Sequence, residues 1–178
     1  LAAVGSAYTL MVFLISILLG LSMGSGTVFS LQYGAGDLSA LRRSIYVSLL
    51  LIGTVTILLN VAVFLWLDPI LRWLQVPYDI YSLMRNYLWI IFWGIVFTFL
   101  YNFYAALLRA VGDSVTPLWF LAVSVVLNIG LDLFLILVLD QGIEGAAVAT
   151  VIAQGTAASG ILLYTYKTRP ELRLHRED

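Results

Sequence analysis

Residues 117–139, PLWFLAVSVVLNIGLDLFLILVL, decide how this chain folds. Asp132 is the only charged residue in this stretch. A helix rises 1.5 Å per residue, and about 20 apolar residues cross the hydrocarbon core of a bilayer. The stretch therefore predicts a membrane-spanning helix that carries one carboxylate at membrane depth.

The rest of the chain repeats this apolar character. It is 62% hydrophobic and 11% charged, whereas a soluble domain is about 25% charged. A soluble bundle is disfavoured because its helices would lack a polar face. We predict an all-α transmembrane fold with five spans, at roughly 7–32, 44–67, 84–108, 117–139 and 145–166.

Basic residues predict the orientation of these spans. Seven of the nine Lys and Arg residues lie on one side of the membrane: Arg42, Arg43, Arg109, Lys167, Arg169, Arg173 and Arg176. Only Arg72 and Arg85 lie on the other. The positive-inside rule places the C-terminus in the cytoplasm and the N-terminus of this chain outside. We expect a multi-pass protein of a prokaryotic plasma membrane, with 167–178 as a cytoplasmic linker. The odd number of spans predicts a piece of a longer protein, and if that protein starts in the cytoplasm, one further helix precedes this chain.

Asp132 is the strongest candidate for a functional residue. It lies eight residues before Asp140, about 12 Å along its helix, and Thr150 lies six residues after Glu144, about 9 Å along the next. The two side chains therefore reach similar depths. Asn128 stands one turn from Asp132 on the same helix face. These hard oxygen ligands are suited to a proton or a sodium ion.

A plainer interpretation exists for each of these residues. Asp132 would serve as a structural acid bonded to a neighbouring helix, and Thr150 taken alone indicates only helix packing. We favour function for Asp132, because an Asn would hold helices together at lower cost than a charge at membrane depth.

Other polar or small residues inside the spans are open to two interpretations. Asn60, Asn102 and Gln154 are equally suited to interhelical hydrogen bonds and to contacts along a substrate pathway. The small residues from Gly20 to Gly26 predict close helix packing through the spacing Gly20-x-x-x-Gly24, which we favour, or a flexible, polar lining of a pore; the two are compatible.

The sequence offers no set of residues for enzyme chemistry. Cysteine is absent, which removes thiol chemistry and Cys-based metal sites. The spans contain no Ser-His-Asp set and no pair of His residues for a metal. We therefore expect no enzyme, no cofactor and no nucleic-acid partner, and an ion gradient as the energy source.

Several segments together resemble the multidrug and toxic compound extrusion (MATE) family. They occur in the family's order and cover essentially the whole chain: Leu1-Ala-Ala-Val-Gly5, Gln32-Tyr-Gly-Ala-Gly36-Asp37, Leu108-Arg109-Ala-Val-Gly112-Asp113, Thr116-Pro117, Asn128-Ile-Gly-Leu-Asp132 and Gly145-Ala-Ala-Val-Ala-Thr150. The resemblance implies two six-helix lobes, of which this chain supplies helices two to six of the N-terminal lobe. The absent helix and the C-terminal lobe would be its partners within one polypeptide.

The resemblance also implies a function. Family members export organic cations and drugs in exchange for protons or sodium ions. In members with an N-lobe cation site, Asn128, Asp132 and Thr150 match three of its residues, and a fourth, an Asp, belongs to the first helix. Some branches place the cation site in the other lobe. The alternatives are a lipid or polysaccharide flippase of the same superfamily and a non-transporting fragment.

Overall fold

A computed structural model describes residues 2–73, 75 and 77–173, and every regular element within these ranges is helical. The α-helices are α1 (Ala2–Gly34), α2 (Leu38–Leu65), α3 (Leu67–Trp73), α4 (Tyr78–Trp93), α5 (Ile95–Ala110), α6 (Val115–Leu133) and α7 (Gly142–Thr168). A π-helical segment, Phe134–Val138, extends α6, and a 3-10 turn, Pro170–Leu172, follows α7.

Five helical stretches are long and apolar enough to cross a membrane: Tyr8–Gly34, Leu38–Leu65, Tyr81–Ala110, Val115–Val138 and Glu144–Thr168. The predicted all-α transmembrane fold with five spans is confirmed. The third span joins α4 to α5 at Gly94, an interruption that the sequence did not predict. Helix α7 continues to Thr168, past the predicted end at 166. The division into a lobe bundle and a linker stays a prediction, and 174–178 lie outside the described residues.

A Gly-Asp pair precedes two helices, α2 and α6, on the side predicted to be cytoplasmic. Gly36 and Gly112 have φ values of 74° and 92°, a region that glycine enters without steric cost. The Oδ1 atom of Asp37 then accepts the Ala40 N–H at 3.0 Å. Asp113 accepts the N–H of Thr116 at 3.1 Å and its hydroxyl at 2.6 Å. Both carboxylates therefore satisfy N–H groups of a first helical turn that have no partner within the helix.

The environment of Asp113 also sets its ionisation. Burial acts to raise the pKa of the Asp113 carboxyl, but the hydrogen bonds from the Thr116 hydroxyl and from backbone N–H groups act against it. The hydrogen bonds prevail, and the pKa of Asp113 lies below its ordinary value.

The connection between the second and third spans contains α3, whose Leu67 and Leu71 are buried. The Oδ1 atom of Asp68 accepts hydrogen bonds from the Tyr81 hydroxyl and from Arg85 Nε, both at 2.9 Å. These contacts, with Tyr81 first, lower the pKa of Asp68. The carboxylate thus ties α3 to the start of the third span.

The main core lies between α1, α2, α4 and α5. Phe29 and Phe103 are fully buried there, with ring centroids 5.7 Å apart in an edge-to-face arrangement. A smaller cluster joins α5 to α7 through Ala105, Leu108 and Ile161. Helix α6 packs mainly on α7, and only 6% of its most apolar stretch is buried among the described residues.

The close approach of α1 does not occur at the predicted glycines. A Cβ atom added at Gly20 or Gly24 would meet no described atom within 4 Å, so the predicted packing there is not found among these helices. At Gly26 the added atom would lie 3.4 Å from the Ala106 Cβ. This glycine, two residues further on, is the one that faces α5.

Candidate functional site

Asp132 lies at the end of α6, immediately before the helix changes its hydrogen-bonding pattern. The Leu139 N–H donates to the Phe134 carbonyl at 3.2 Å, five residues back, which defines the π-helical segment. Such segments are rare and often occur at functional sites. The sequence carried no signal for it, since π and α turns share the same apolar residues.

The structure brings Asn128 and Thr150 together across α6 and α7. The Asn128 Nδ2 atom donates to the Thr150 Oγ1 atom at 3.3 Å. The Thr150 hydroxyl itself donates to the Ala146 carbonyl within its own helix at 3.0 Å. Thr150 therefore lies at the level of Asn128, one helical turn deeper than the level of Asp132 at which the residue spacing placed it.

Asp132 is close in sequence to this pair but is not bonded to it. Its Oδ1 atom is buried and has no hydrogen-bond partner within the described ranges. Leaving a buried polar atom without a partner typically costs about 1–3 kcal/mol. An unsatisfied carboxylate oxygen of this kind is suited to accept a proton or to coordinate a hard cation.

A polar cavity of about 220 Å³ lies beside this pair, between α5, α6 and α7. It is lined by Thr98, Tyr101, Asn102, Leu121, Ser124, Gln154 and Ala157. Ser124 stands one turn before Asn128 on α6, and Gln154 stands one turn after Thr150 on α7. The cavity therefore extends the row of polar side chains between α6 and α7 in the direction away from Asp132.

Two of the three predicted pathway residues line this cavity. Asn102 and Gln154 do so, whereas Asn60 does not; it is 7% exposed on α2, and its Oδ1 atom has no partner among the described residues. The Asn102 amide donates to the Thr98 carbonyl at 2.8 Å within its own helix. We therefore separate Asn60 from the other two.

Residues that the sequence analysis did not select complete the lining. The Ser124 hydroxyl donates to the Ala153 carbonyl on α7 at 3.2 Å, and the Tyr101 hydroxyl donates to the Pro117 carbonyl at 2.7 Å. The spacing of four residues between Ser124 and Asn128 was a usable signal for Ser124. Tyr101 had none, because an aromatic residue near a span end usually indicates a membrane interface.

Gly94 allows α7 to approach this cavity. A Cβ atom at this position would lie 2.6 Å from the Gln154 Oε1 atom and 3.2 Å from Val151 Cγ2, closer than such atoms approach. The Gly94 N–H donates to the Ile91 carbonyl at 2.9 Å, three residues back, where the helix is interrupted. The missing side chain leaves space for the Gln154 amide.

Polar side chains gathered inside a bundle of membrane-spanning helices are typical of substrate and ion pathways. The MatE family model matches residues 1–134. The chain belongs to the MATE family of multidrug efflux transporters.

Named relatives agree with this assignment. The chain is 40% identical over 166 residues to the probable multidrug resistance protein YpnP of Bacillus subtilis, covering 93% of the chain and 37% of the relative. It is 32% identical over 170 residues to the multidrug export protein MepA of Staphylococcus aureus, covering 91% and 37%. The chain thus spans little more than a third of the length of these relatives.

A solved structure shares the fold. The bent form of the Vibrio cholerae MATE transporter VcmN matches with a TM-score of 0.87 and 26% identity, covering 99% of this chain and 40% of that one. The expected family is therefore confirmed, and this chain is a multi-pass membrane protein.

Proposed function

We propose that the protein containing this chain is a secondary active antiporter that exports organic cations or drugs in exchange for protons or sodium ions. The observation that carries the proposal is the buried Oδ1 atom of Asp132, which has no hydrogen-bond partner among the described residues. A carboxylate at membrane depth is costly unless it is paired, protonated or bound to a cation. A coupling ion would meet that requirement.

The geometry supports a division of roles among three residues. In the proposal, Asp132 takes up the coupling ion, and the Thr150 hydroxyl and the Asn128 amide oxygen complete its coordination. The Asn128–Thr150 contact of 3.3 Å already holds two of these groups together. Ion uptake neutralises the carboxylate and removes its desolvation penalty, which shifts the balance between conformations.

The neighbouring polar cavity is the proposed place for part of the substrate. Its volume of about 220 Å³ is below the roughly 300–1,000 Å³ of pockets that enclose a drug-sized molecule. It therefore suits one end of a larger compound, held by Asn102 and Gln154, with the rest contacting the C-terminal lobe. Rocking of one lobe against the other would provide alternating access.

The proposed setting is a prokaryotic plasma membrane with the C-terminus of this chain in the cytoplasm. Six of the basic residues on that side belong to the described ranges and support this orientation: Arg42, Arg43, Arg109, Lys167, Arg169 and Arg173. The first helix and the second lobe are the proposed partners within the polypeptide. The multidrug names of the relatives favour drug export over a flippase.

Dye efflux from vesicles tests this function. The full transporter is reconstituted, proton and sodium gradients are imposed separately, and Asp132→Asn is compared with Asp140→Asn. Asp140 is an exposed residue of the same hairpin with a φ of 53°, a conformation that Asn also tolerates. We expect one gradient to drive efflux, and only Asp132→Asn to abolish the coupling. Full coupled efflux by the Asp132→Asn protein would overturn the proposal.

A further inference from the structure

Two cavities line the seam between α5 and α7, away from the polar cavity described above. The larger, about 320 Å³, is walled by Phe97 and Leu100 on α5 and by Ala158, Ser159, Leu162 and Leu163 on α7. The smaller, about 170 Å³, is walled by Tyr104, Leu162, Thr165, Tyr166, Leu172 and Arg173. Leu162 lines both, so the two cavities are neighbours along α7, and we call them together the groove.

The groove runs along the membrane normal for about the length of two helical turns. Helices α5 and α7 cross in the same direction, as the third and fifth of alternating spans. Each wall of the groove extends over seven residue steps, or about 10 Å of helix, from Phe97 to Tyr104 on α5 and from Ser159 to Tyr166 on α7. The larger cavity therefore lies inside the span, and the smaller cavity, which Arg173 borders, lies at the C-terminal end of the span.

The C-terminal turn closes the polar end of the groove with a fixed positive charge. Leu172 is 5% exposed and belongs to the main core, so this turn is packed onto the bundle. Arg173 Nε donates to the Tyr166 carbonyl at 2.6 Å, and its guanidinium carbon lies 4.5 Å from the centroid of the Tyr166 ring. A guanidinium has five N–H donors, and this bond uses one of them.

Among the described residues, no acid forms an ion pair with Arg173. Glu171 accepts an ion pair from Arg169 at 3.5 Å, so one acid and one base offset each other. Lys167, in the last turn of α7, is exposed and adds a second positive charge. Among the residues that line it, the groove thus combines an apolar channel between α5 and α7 with the positive charge of Arg173 at its C-terminal end.

We propose that this groove binds one anionic phospholipid from the leaflet that borders the C-terminal ends of α5 and α7. The acyl chain lies against Phe97, Leu100 and Leu163, and the phosphate accepts hydrogen bonds from Arg173. An arginine whose geometry is fixed beforehand binds phosphate with little loss of side-chain freedom. Basic pockets between membrane helices select anionic lipids by this charge complementarity.

The groove itself argues for a lipid over a protein segment. Contacts between membrane helices are enriched in small residues. Ala158 and Ser159 are small, but Phe97, Leu100 and Leu163 give the channel large and uneven walls. An acyl chain adapts to such an irregular apolar channel. Leu163 is 55% exposed among the described residues, so the channel is open at this side chain.

Electron spin resonance of spin-labelled lipids tests this site without any transport assay. The full transporter is reconstituted in phosphatidylcholine with a trace of phosphatidylglycerol or phosphatidylcholine labelled in the acyl chain. We expect the fraction of motionally restricted phosphatidylglycerol to show about a fivefold preference, the scale of one Arg near an anionic surface. Equal restricted fractions of the two lipids would contradict the proposal.

Matched variants locate the effect. Arg173→Gln keeps a donor for the Tyr166 carbonyl while removing the charge, and it should abolish the preference. Arg109→Gln removes a charge at the same membrane face but in a separate cleft between α1 and α5, and it should retain the preference. The proposal is overturned if the preference survives Arg173→Gln or if Arg109→Gln removes it equally.

A second pair of variants tests the apolar channel. Ser159→Phe fills the channel, whereas Thr156→Phe places the same ring on an exposed position of α7 outside it. We expect Ser159→Phe alone to lower the restricted fraction of both labelled lipids. Identical spectra for the two variants would mean that lipid does not enter this channel and would overturn the proposal. A protein segment in the channel would also give identical spectra.

Discussion

The Asn128 amide donates a hydrogen bond to the Thr150 hydroxyl at 3.3 Å, and this bond joins α6 to α7 one helical turn from Asp132. It links the helix that carries the acid to a helix packed on the rest of the bundle. Movement of α6 relative to α7 would therefore change the surroundings of Asp132 directly.

Replacing Thr150 by Val should weaken coupling-ion binding. The variant keeps the side-chain shape but leaves the Asn128 Nδ2 atom without its acceptor and removes one oxygen ligand. We expect the ion concentration for half-maximal efflux to rise about tenfold, since a lost hydrogen bond or ligand of this kind is worth roughly 1.4 kcal/mol. The measurement is efflux rate against ion concentration in proteoliposomes.

Thr156→Val is the matched control for that experiment. Thr156 is exposed on the same helix, and its hydroxyl donates to the Ile152 carbonyl at 2.9 Å. The control should leave the ion dependence unchanged. If Thr150→Val also leaves it unchanged, Thr150 is a packing residue.

Gln154→Leu should impair substrate recognition while sparing the ion site. The substitution replaces the amide in the polar cavity with an apolar group of similar volume. We expect the apparent KM for an exported organic cation to rise about threefold to tenfold, with the ion dependence preserved. Efflux rates over a range of dye concentrations measure the change. Asn86→Leu, at an exposed residue bonded to Glu144, should leave the KM as in the wild type.

Gly160→Ala should destabilise the bundle. The added Cβ would lie 2.7 Å from the Phe120 ring, so the ring must shift and disturb its edge-to-face contact with Tyr164. Overpacking of this kind costs about 1–3 kcal/mol. Thermal unfolding in detergent should therefore show a lower midpoint.

Gly53→Ala provides the comparison for thermal unfolding. Its added Cβ would lie 3.8 Å from the Phe99 ring, an ordinary contact, and Ala has the higher helix propensity. This variant should match or exceed wild-type stability. Equal midpoints for the two variants would show that the Phe120 ring moves aside freely.

Asp113 should contribute stability that depends on pH. Its pKa is lower in the folded protein than its ordinary value of 3.8, so the contribution is present above that value and is lost as pH falls through the folded pKa. At pH 7, Asp113→Ala should cost about 0.5–2 kcal/mol, as expected for a helix cap. Thermal midpoints from pH 7 to pH 3 should converge for wild type and variant at the acid end. A constant difference over that range would contradict this assignment.

The sequence predicted the helices well, because a span needs only length and the absence of charge. The residue spacing placed Thr150 at the depth of Asp132, whereas the structure pairs Thr150 with Asn128, one helical turn further in. The π-helical segment after Asp132, which the spacing argument did not include, lies between Asp132 and the turn around Gln141. The partners of individual polar side chains could not be predicted from the sequence. The spacing did not reveal that Asp132 lacks a partner among the described residues or that Asn60 lies apart from Asn102 and Gln154.

The interruption at Gly94 and the groove beside α7 were also beyond the sequence. Gly94 sits in an apolar stretch in which glycine has several ordinary uses, and only the position of Gln154 gives it a structural reason. Arg173 was predicted only as part of a basic linker. Its position against Tyr166 depends on the burial of Leu172, which no periodic pattern indicated.

The shallow burial of α6 has a mechanical consequence. Because this helix shares little surface with the aromatic core around Phe29 and Phe103, it can tilt without opening that core. Such a tilt would disturb mainly the contacts between α6 and α7. Within the described residues, Asp132 is thus carried on a helix that is held mainly by α7.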